Sequence, residues 1–134
     1  MQALPIRLSP GDDLRQALGL ALALHRTEAA YVVQGIGSLS AVELRFAGVD
    51  QPASLRGDYE ILTLAGSLAV NGAHLHMSVS DAQGRVLGGH VAPGCIVRTT
   101  AEVLLTLLPG YRFTREHDAQ TGFQELVIRN DPEA

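Results

Sequence analysis

Cysteine is almost missing from this chain. The one copy, Cys95, has no partner for a disulfide within the sequence, so no oxidised framework is expected and a reducing, cytoplasmic setting is the natural one. Clustered positive charge is missing as well. The formal charge is -4, the pI is near 5.6 and no basic run occurs, which removes a general attraction to phosphate backbones. Nucleic-acid binding by this chain alone is not expected. The most apolar run, Ala17 to Leu24, falls well short of the roughly 20 residues that a membrane span needs, and Asp12 and Asp13 precede it, so neither anchor nor signal peptide is expected. Gly35-Ile36-Gly37 lacks the third glycine and the following helix of a dinucleotide site. No serine stands in a Gly-x-Ser-x-Gly elbow, which argues against an ordinary serine hydrolase.

What is present suits a folded domain. Over 134 residues, 46% are apolar and 18% charged, enough for a single core spanning residues 1–134. The first expected element is a helix from Asp12 to Arg26, with acidic residues at its start and His25 and Arg26 at its end, matching the helix dipole. Leu14, Ala17, Leu18, Ala21, Leu22 and His25 form one stripe of it. Leu20 and Leu24 widen that stripe beyond what one sheet covers, which implies a second contact such as a subunit. Beyond the helix, alternation predicts strands at 30–35, 41–47, 59–70, 73–80, 85–91 and 124–129, with 99–108 also read as strand. Turns are expected at Gly35–Gly37, Gln51-Pro52, Asn71-Gly72 and Asp81–Gly84, and a long loop at Arg115–Phe123 holding a solvated His117.

The sharpest chemistry lies in Ala73-His74-Leu75-His76-Met77-Ser78-Val79, where alternation puts both histidines on one side of a strand and the apolar residues on the other. Whether His90 joins them depends on the turn. A two-residue loop of Ala82 and Gln83 would set Leu75 opposite His90 and send that histidine to the other face. A three-residue loop with Gly84 in the left-handed region would pair Asp81 with Arg85, and hence His76 with His90. Ala and Gln fill a primed two-residue turn poorly, so the second register is favoured. His74, His76 and His90 could then hold one divalent metal, zinc being the leading candidate, with the fourth position open to water or a small-molecule ligand. Gly88 and Gly89 suggest close approach by a ligand or another backbone, and Cys95 is a possible extra ligand. His25 is read as a helix cap.

These residues carry a resemblance. Gly35-Ile36-Gly37-Ser38-Leu39, Gly57-Asp58-Tyr59-Glu60-Ile61-Leu62, Gly72-Ala73-His74-Leu75-His76, Gly88-Gly89-His90 and Thr100-Ala101-Glu102-Val103 together resemble the plants-and-prokaryotes-conserved domain, which accompanies AT-hooks in plant nuclear proteins. The resemblance implies an α+β fold, a largely antiparallel mixed sheet with one main N-terminal helix, assembled as a homotrimer. It also implies a partner interface at Gly57, Tyr59, Glu60, Ile61 and Leu62, where Asp58 replaces the arginine and Tyr59 the phenylalanine of the plant motif. The plant Arg-Gly-Arg-Pro hook is missing, so association with DNA would rest on family analogy alone. Some prokaryotic members offer similar histidines to a metal. Glu60 and Glu102 are the candidate carboxylates for supporting such a site or acting as its general base, the favoured alternative being a structural role such as an ion pair within the sheet or at a subunit contact. The competing expectation is a non-enzymatic module for oligomerisation or regulation.

Overall fold

Two strands of 17 residues each organise the fold, β2 (Ala29–Arg45) and β3 (Ala53–Ala69), paired antiparallel over most of their length. The computed structural model describes residues 1–133. Before β2 come β1 (Gln2–Leu8) and two short helices, α1 (Leu14–Gly19) and α2 (Ala21–Leu24). After β3 follow β4 (Gly72–Ser80), β5 (Val86–Val91), β6 (Ile96–Leu107), β7 (Tyr111–His117) and β8 (Gln124–Asn130). Six strands form one sheet in the order β1-β6-β2-β3-β4-β5, and β7 and β8 form a two-stranded sheet. Every pairing between named strands is antiparallel, and the α+β class holds. Among the described residues, no helix is long and apolar enough to cross a membrane.

The six-stranded sheet curls until it meets itself. β6 occupies one edge of β2 as far as Ala41↔Ile96, and β5 then takes over that edge at Leu44↔Val91 and Arg45↔His90. Register shifts along β2 after Val32, Gly37 and Leu39 allow this long strand to bend. The strands β2, β3, β4 and β5 therefore close into a ring whose inner residues include Leu44, Leu64, Leu75 and Val79, all buried. Gly89 lies against the Arg45 carbonyl at the closure, so the approach signalled by the paired glycines is that of a neighbouring backbone.

Several expectations are corrected. The strand reading of the sequence does not include β1, which pairs with β6 along its whole length. The Gly35–Gly37 turn does not exist, because β2 runs straight through it with strands on both edges. Those glycines answer packing instead: a Cβ on Gly35 would lie 2.8 Å from Leu64 Cδ2. The helix is shorter than Asp12–Arg26 and bends at Leu20. Asp13 caps it from outside, its Oδ1 accepting from the Gln16 amide at 3.0 Å. At the far end, Arg26 takes a left-handed φ of 52°, and the amides of Arg26 and Thr27 bond back to Ala23 and Leu22. His25 occupies the C-cap position. Leu14 and Leu18 are buried, whereas Leu20 and Leu24 remain 54% and 75% exposed on the unpartnered side of the helix.

Candidate metal centre

The turn between β4 and β5 decides the site. The Asp81 amide donates to the Arg85 carbonyl at 3.0 Å, the Gly84 amide donates to the Asp81 carbonyl at 3.0 Å, and Gly84 takes φ 78°. This is the three-residue loop, and it pairs His76 with His90. Leu75, Met77 and Val79 point into the core, so His74, His76 and His90 emerge together on the outer face.

Their ligand nitrogens all lie within 4.8 Å of one another. His76 Nε2 and His90 Nδ1 are 3.0 Å apart. The rings of His74 and His90 lie roughly parallel at 5.8 Å, and the His76 ring stands nearly perpendicular to both. Tetrahedral zinc with bonds near 2 Å sets its nitrogens ~3.3 Å apart. The His76–His90 spacing already matches that figure, and the rest of the trio needs only a small inward movement. The donor set fits a borderline ion such as zinc better than a hard one such as magnesium, because it is all imidazole and no carboxylate belongs to the cluster.

Electrostatics favour the neutral, ligating form of the outer two rings. Burial lowers the His74 pKa below its usual value, the charge of Arg115 lowers it further, the other two histidines add to this, and Glu125 opposes it. For His90, burial acts first, then Arg45, then His76. Lone pairs are therefore available near neutral pH.

Two clamps hold these strands in place, and neither was legible in the sequence. Arg15, on α1, donates to the carbonyls of Ala73 at 2.7 Å and Val91 at 3.0 Å, the residues flanking His74 and His90. Asn71 does more than turn the chain. Its side chain receives the Arg115 amide at 2.7 Å and donates to the Arg115 carbonyl at 2.9 Å, fastening β7 beside the β3–β4 turn. Arg115, Tyr31, Leu126 and Ser67 then line a cleft of about 330 Å³ with His74 and His76.

Other expected residues lie elsewhere. Glu60 is on the strand adjacent to the histidines but sits opposite Ser80, whereas Ala65 faces His76. Five residues of strand, roughly 17 Å, separate those two positions. Glu102 is exposed on β6 opposite Arg7 and Ile36, with both β2 and β3 lying between it and β4. The carboxylate whose charge reaches His74 is Glu125, on β8. Cys95 is no ligand here: it is fully buried, its Sγ lies 3.3 Å from the Glu43 amide and 3.4 Å from the Glu43 carbonyl, and burial pushes its thiol up to about 11. Of the segment Gly57–Leu62, Ile61 is buried in the core, while Leu62 is 42% exposed on the opposite side of the sheet. His117 ends β7 and is exposed, and the expected Arg115–Phe123 loop is a strand followed by a tight turn.

Comparison with known proteins places this geometry in a family. Over its full 134 residues the chain is 44% identical to the Bifunctional protein GlmU of Synechococcus sp. (strain JA-3-3Ab), and it spans only about a fifth (22%) of that protein's length. A hypothetical protein from Salmonella superposes with a TM-score of 0.92 at 40% identity, covering 96% of this chain and 94% of that one. A metal-containing protein from Archaeoglobus fulgidus shares the fold, with a TM-score of 0.81 at 24% identity over 95% of this chain and 94% of its own. The model of the Plants and Prokaryotes Conserved (PCC) domain matches residues 1–109, from β1 through β6 and all three histidines, and the chain belongs to that family.

Proposed function

We propose that this chain is a metal-binding module that assembles with copies of itself. His74, His76 and His90 hold one divalent cation, with zinc the best fit to three neutral imidazoles. The convergence of three ligand nitrogens within 4.8 Å on one face carries this reading. The Archaeoglobus relative of the same fold is itself metal-containing, which supports it. When bound, such an ion supplies Lewis acidity and one open position for a ligand or hydrolytic chemistry. The chain's own contribution is to fix the rings through the β4–β5 register and the Arg15 clamp, and to keep His74 and His90 unprotonated.

Assembly is supported by a second surface. On the face of β6, β2 and β3 turned away from the core, Val33, Ile36, Leu62 and Leu104 are exposed by 39% to 52%, an apolar patch suited to a subunit contact. A homotrimer covers it in this reading, with the Gly57–Leu62 segment at its border as the partner interface. A reducing cytoplasmic home agrees with the unpaired, buried Cys95.

Metal analysis of the purified protein provides the test. About one zinc per chain is expected, with loss in His76→Ala. A trimer without metal, indifferent to chelator, would leave only the non-enzymatic assembly role. Light scattering on Ile36→Glu tests assembly separately and should yield monomers.

A further inference from the structure

The surroundings of the histidines are cationic in a chain that is acidic overall. The sequence has no lysine, and its ten strong cations are all arginines. Five of them, Arg56, Arg85, Arg98, Arg112 and Arg129, hold carboxylates at 2.6 to 3.5 Å. The two that flank the histidines are not paired in this way. Arg115 has a side chain only 15% exposed and stands 4.0 Å from Glu125, outside hydrogen-bonding range. Its guanidinium donates to the Gln124 carbonyl at 2.8 Å, which leaves most of its five N–H groups uncommitted. Arg45, directly opposite His90, donates to the Val49 carbonyl at 3.3 Å. A third guanidinium, Arg15, is spent on the carbonyls of Ala73 and Val91 and has Asp13 as its nearby countercharge.

A guanidinium whose nearest carboxylate stands at 4.0 Å and whose N–H groups face a cleft is free to take a closer anion. Glu125 supplies only part of that charge at its distance. Arg115 lines the same cleft as His74 and His76, about 330 Å³ in volume, which is room for a small molecule and not merely a water. The planar fork of arginine matches phosphate and carboxylate oxygens in a bidentate manner, a match that the point charge of a lysine would not give.

We propose that the three-histidine centre receives a small molecule bearing an oxyanion, phosphate or carboxylate, whose second point of attachment is Arg115, with Arg45 adding to the attractive field from the His90 side. This rests on the metal-binding reading and narrows it from any small ligand to an anionic one. Arg115 is a binding residue in this scheme, and no role in bond breaking is assigned to it.

Cobalt-loaded protein reports both steps, because its visible absorption registers the ion and then the arrival of an anion at it. Inorganic phosphate and acetate are titrated separately, alongside metal stoichiometry by elemental analysis. The wild type should bind at least one of the two. The tighter of them identifies the head group as phosphoryl or carboxyl. Arg115→Met keeps the stem that packs near Gly72 and should leave metal stoichiometry unchanged while weakening the anion at least about tenfold. Arg115→Lys should recover only part of that loss, and Arg45→Met should cost less than Arg115→Met. Full metal loading with no response to either anion, or with equal affinities in wild type and Arg115→Met, overturns the oxyanion proposal and leaves the metal site standing. Absence of cobalt uptake by the wild type overturns the metal reading itself.

Discussion

Two hairpins meet at the histidines, built on the same turn chemistry and held in place by different forces. In the β4–β5 turn, Asp81 Oδ1 accepts from the amides of Gln83 and Arg85, both at 2.9 Å. In the β7–β8 turn, Asp118 Oδ1 accepts from Gln120 at 2.7 Å and Thr121 at 3.3 Å. Each turn also uses a glycine at φ 78°, Gly84 in one and Gly122 in the other. The difference lies below the turns. β4 and β5 are tied into a closed ring and bury Leu75, Met77, Val79 and Val91. β7 and β8 form a ladder only with each other and bury the single large side chain of Phe113 against Ala29 and Ala69; otherwise they are attached by the Phe113 amide donating to the Glu28 carbonyl at 3.0 Å, the Val70 amide donating to the Phe113 carbonyl at 2.9 Å, the Arg112–Glu28 ion pair and Asn71. A hairpin with a buried face has its register enforced by the core, which is what a ligand set requires. A hairpin with one small buried contact can still deliver a charge such as Arg115, with backbone bonds and polar clamps fixing the rest of its position.

The largest expected effect exploits that contrast in anchoring. Leu75→Ala, at a position 1% exposed, should destabilise the protein by roughly 2 to 5 kcal/mol. Ile128→Ala, on β8 and 56% exposed, should stay within about 0.5 kcal/mol of wild type. Urea unfolding of the two variants measures both values. Comparable losses would mean that the outer face of β8 is covered by something other than water.

A smaller effect separates turn chemistry from function. An added Cβ meets nothing within 4 Å at Gly84 or at Gly122, so alanine at either position is opposed by the left-handed backbone alone, at about 1 to 2 kcal/mol. The two variants should therefore lose similar stability. Only Gly84→Ala should weaken metal binding, because only that turn sets His76 against His90. Equal zinc affinities in isothermal titration would detach the ligand set from its turn.

The same contrast explains what could be read in the sequence. Residues 73–80 alternate against a buried face, and the Asp81–Arg85 turn tolerates one sensible loop, so the histidine register followed from local chemistry. The 30–35 and 41–47 segments were recognised as strand, but their fusion into β2 was not, since Gly35 and Gly37 read as a turn until strands on both sides are known to press against them. β7 is not legible in the sequence because Arg112, Thr114, Arg115, Glu116 and His117 present no apolar alternation. Arg15 and Asn71 were invisible as site residues for another reason. Their partners are backbone groups 58, 76 and 44 positions away, and hydrogen bonds to a carbonyl or an amide leave no mark in the side-chain pattern of the partner.

The smallest expected effect is an acid response confined to the weakly anchored hairpin. Arg129, on β8, donates to Glu116, on β7, at 2.6 Å, and with the Thr114 hydroxyl it lowers the Glu116 carboxyl from 4.5 to about 2. A carboxyl depressed in the folded state adds stability that is present above its unfolded pKa and fades as pH falls through the folded one. The window therefore runs from about pH 4.5 down to about 2. Glu116 is solvent-exposed, so salt and water screen the pair and its contribution to overall stability is small. The informative readout is local. Carbon-detected titration of the Glu116 carboxyl should show a midpoint near 2 in wild type, moving up towards 4.5 in Arg129→Met. Amide protection factors, corrected for the intrinsic slowing of exchange in acid, should fall in β7 and β8 across the same window while those of Leu75 and Met77 on β4 hold. If both hairpins loosened together on acidification, their anchoring would not be independent, and the contrast between a core-held and a clamp-held hairpin would fail.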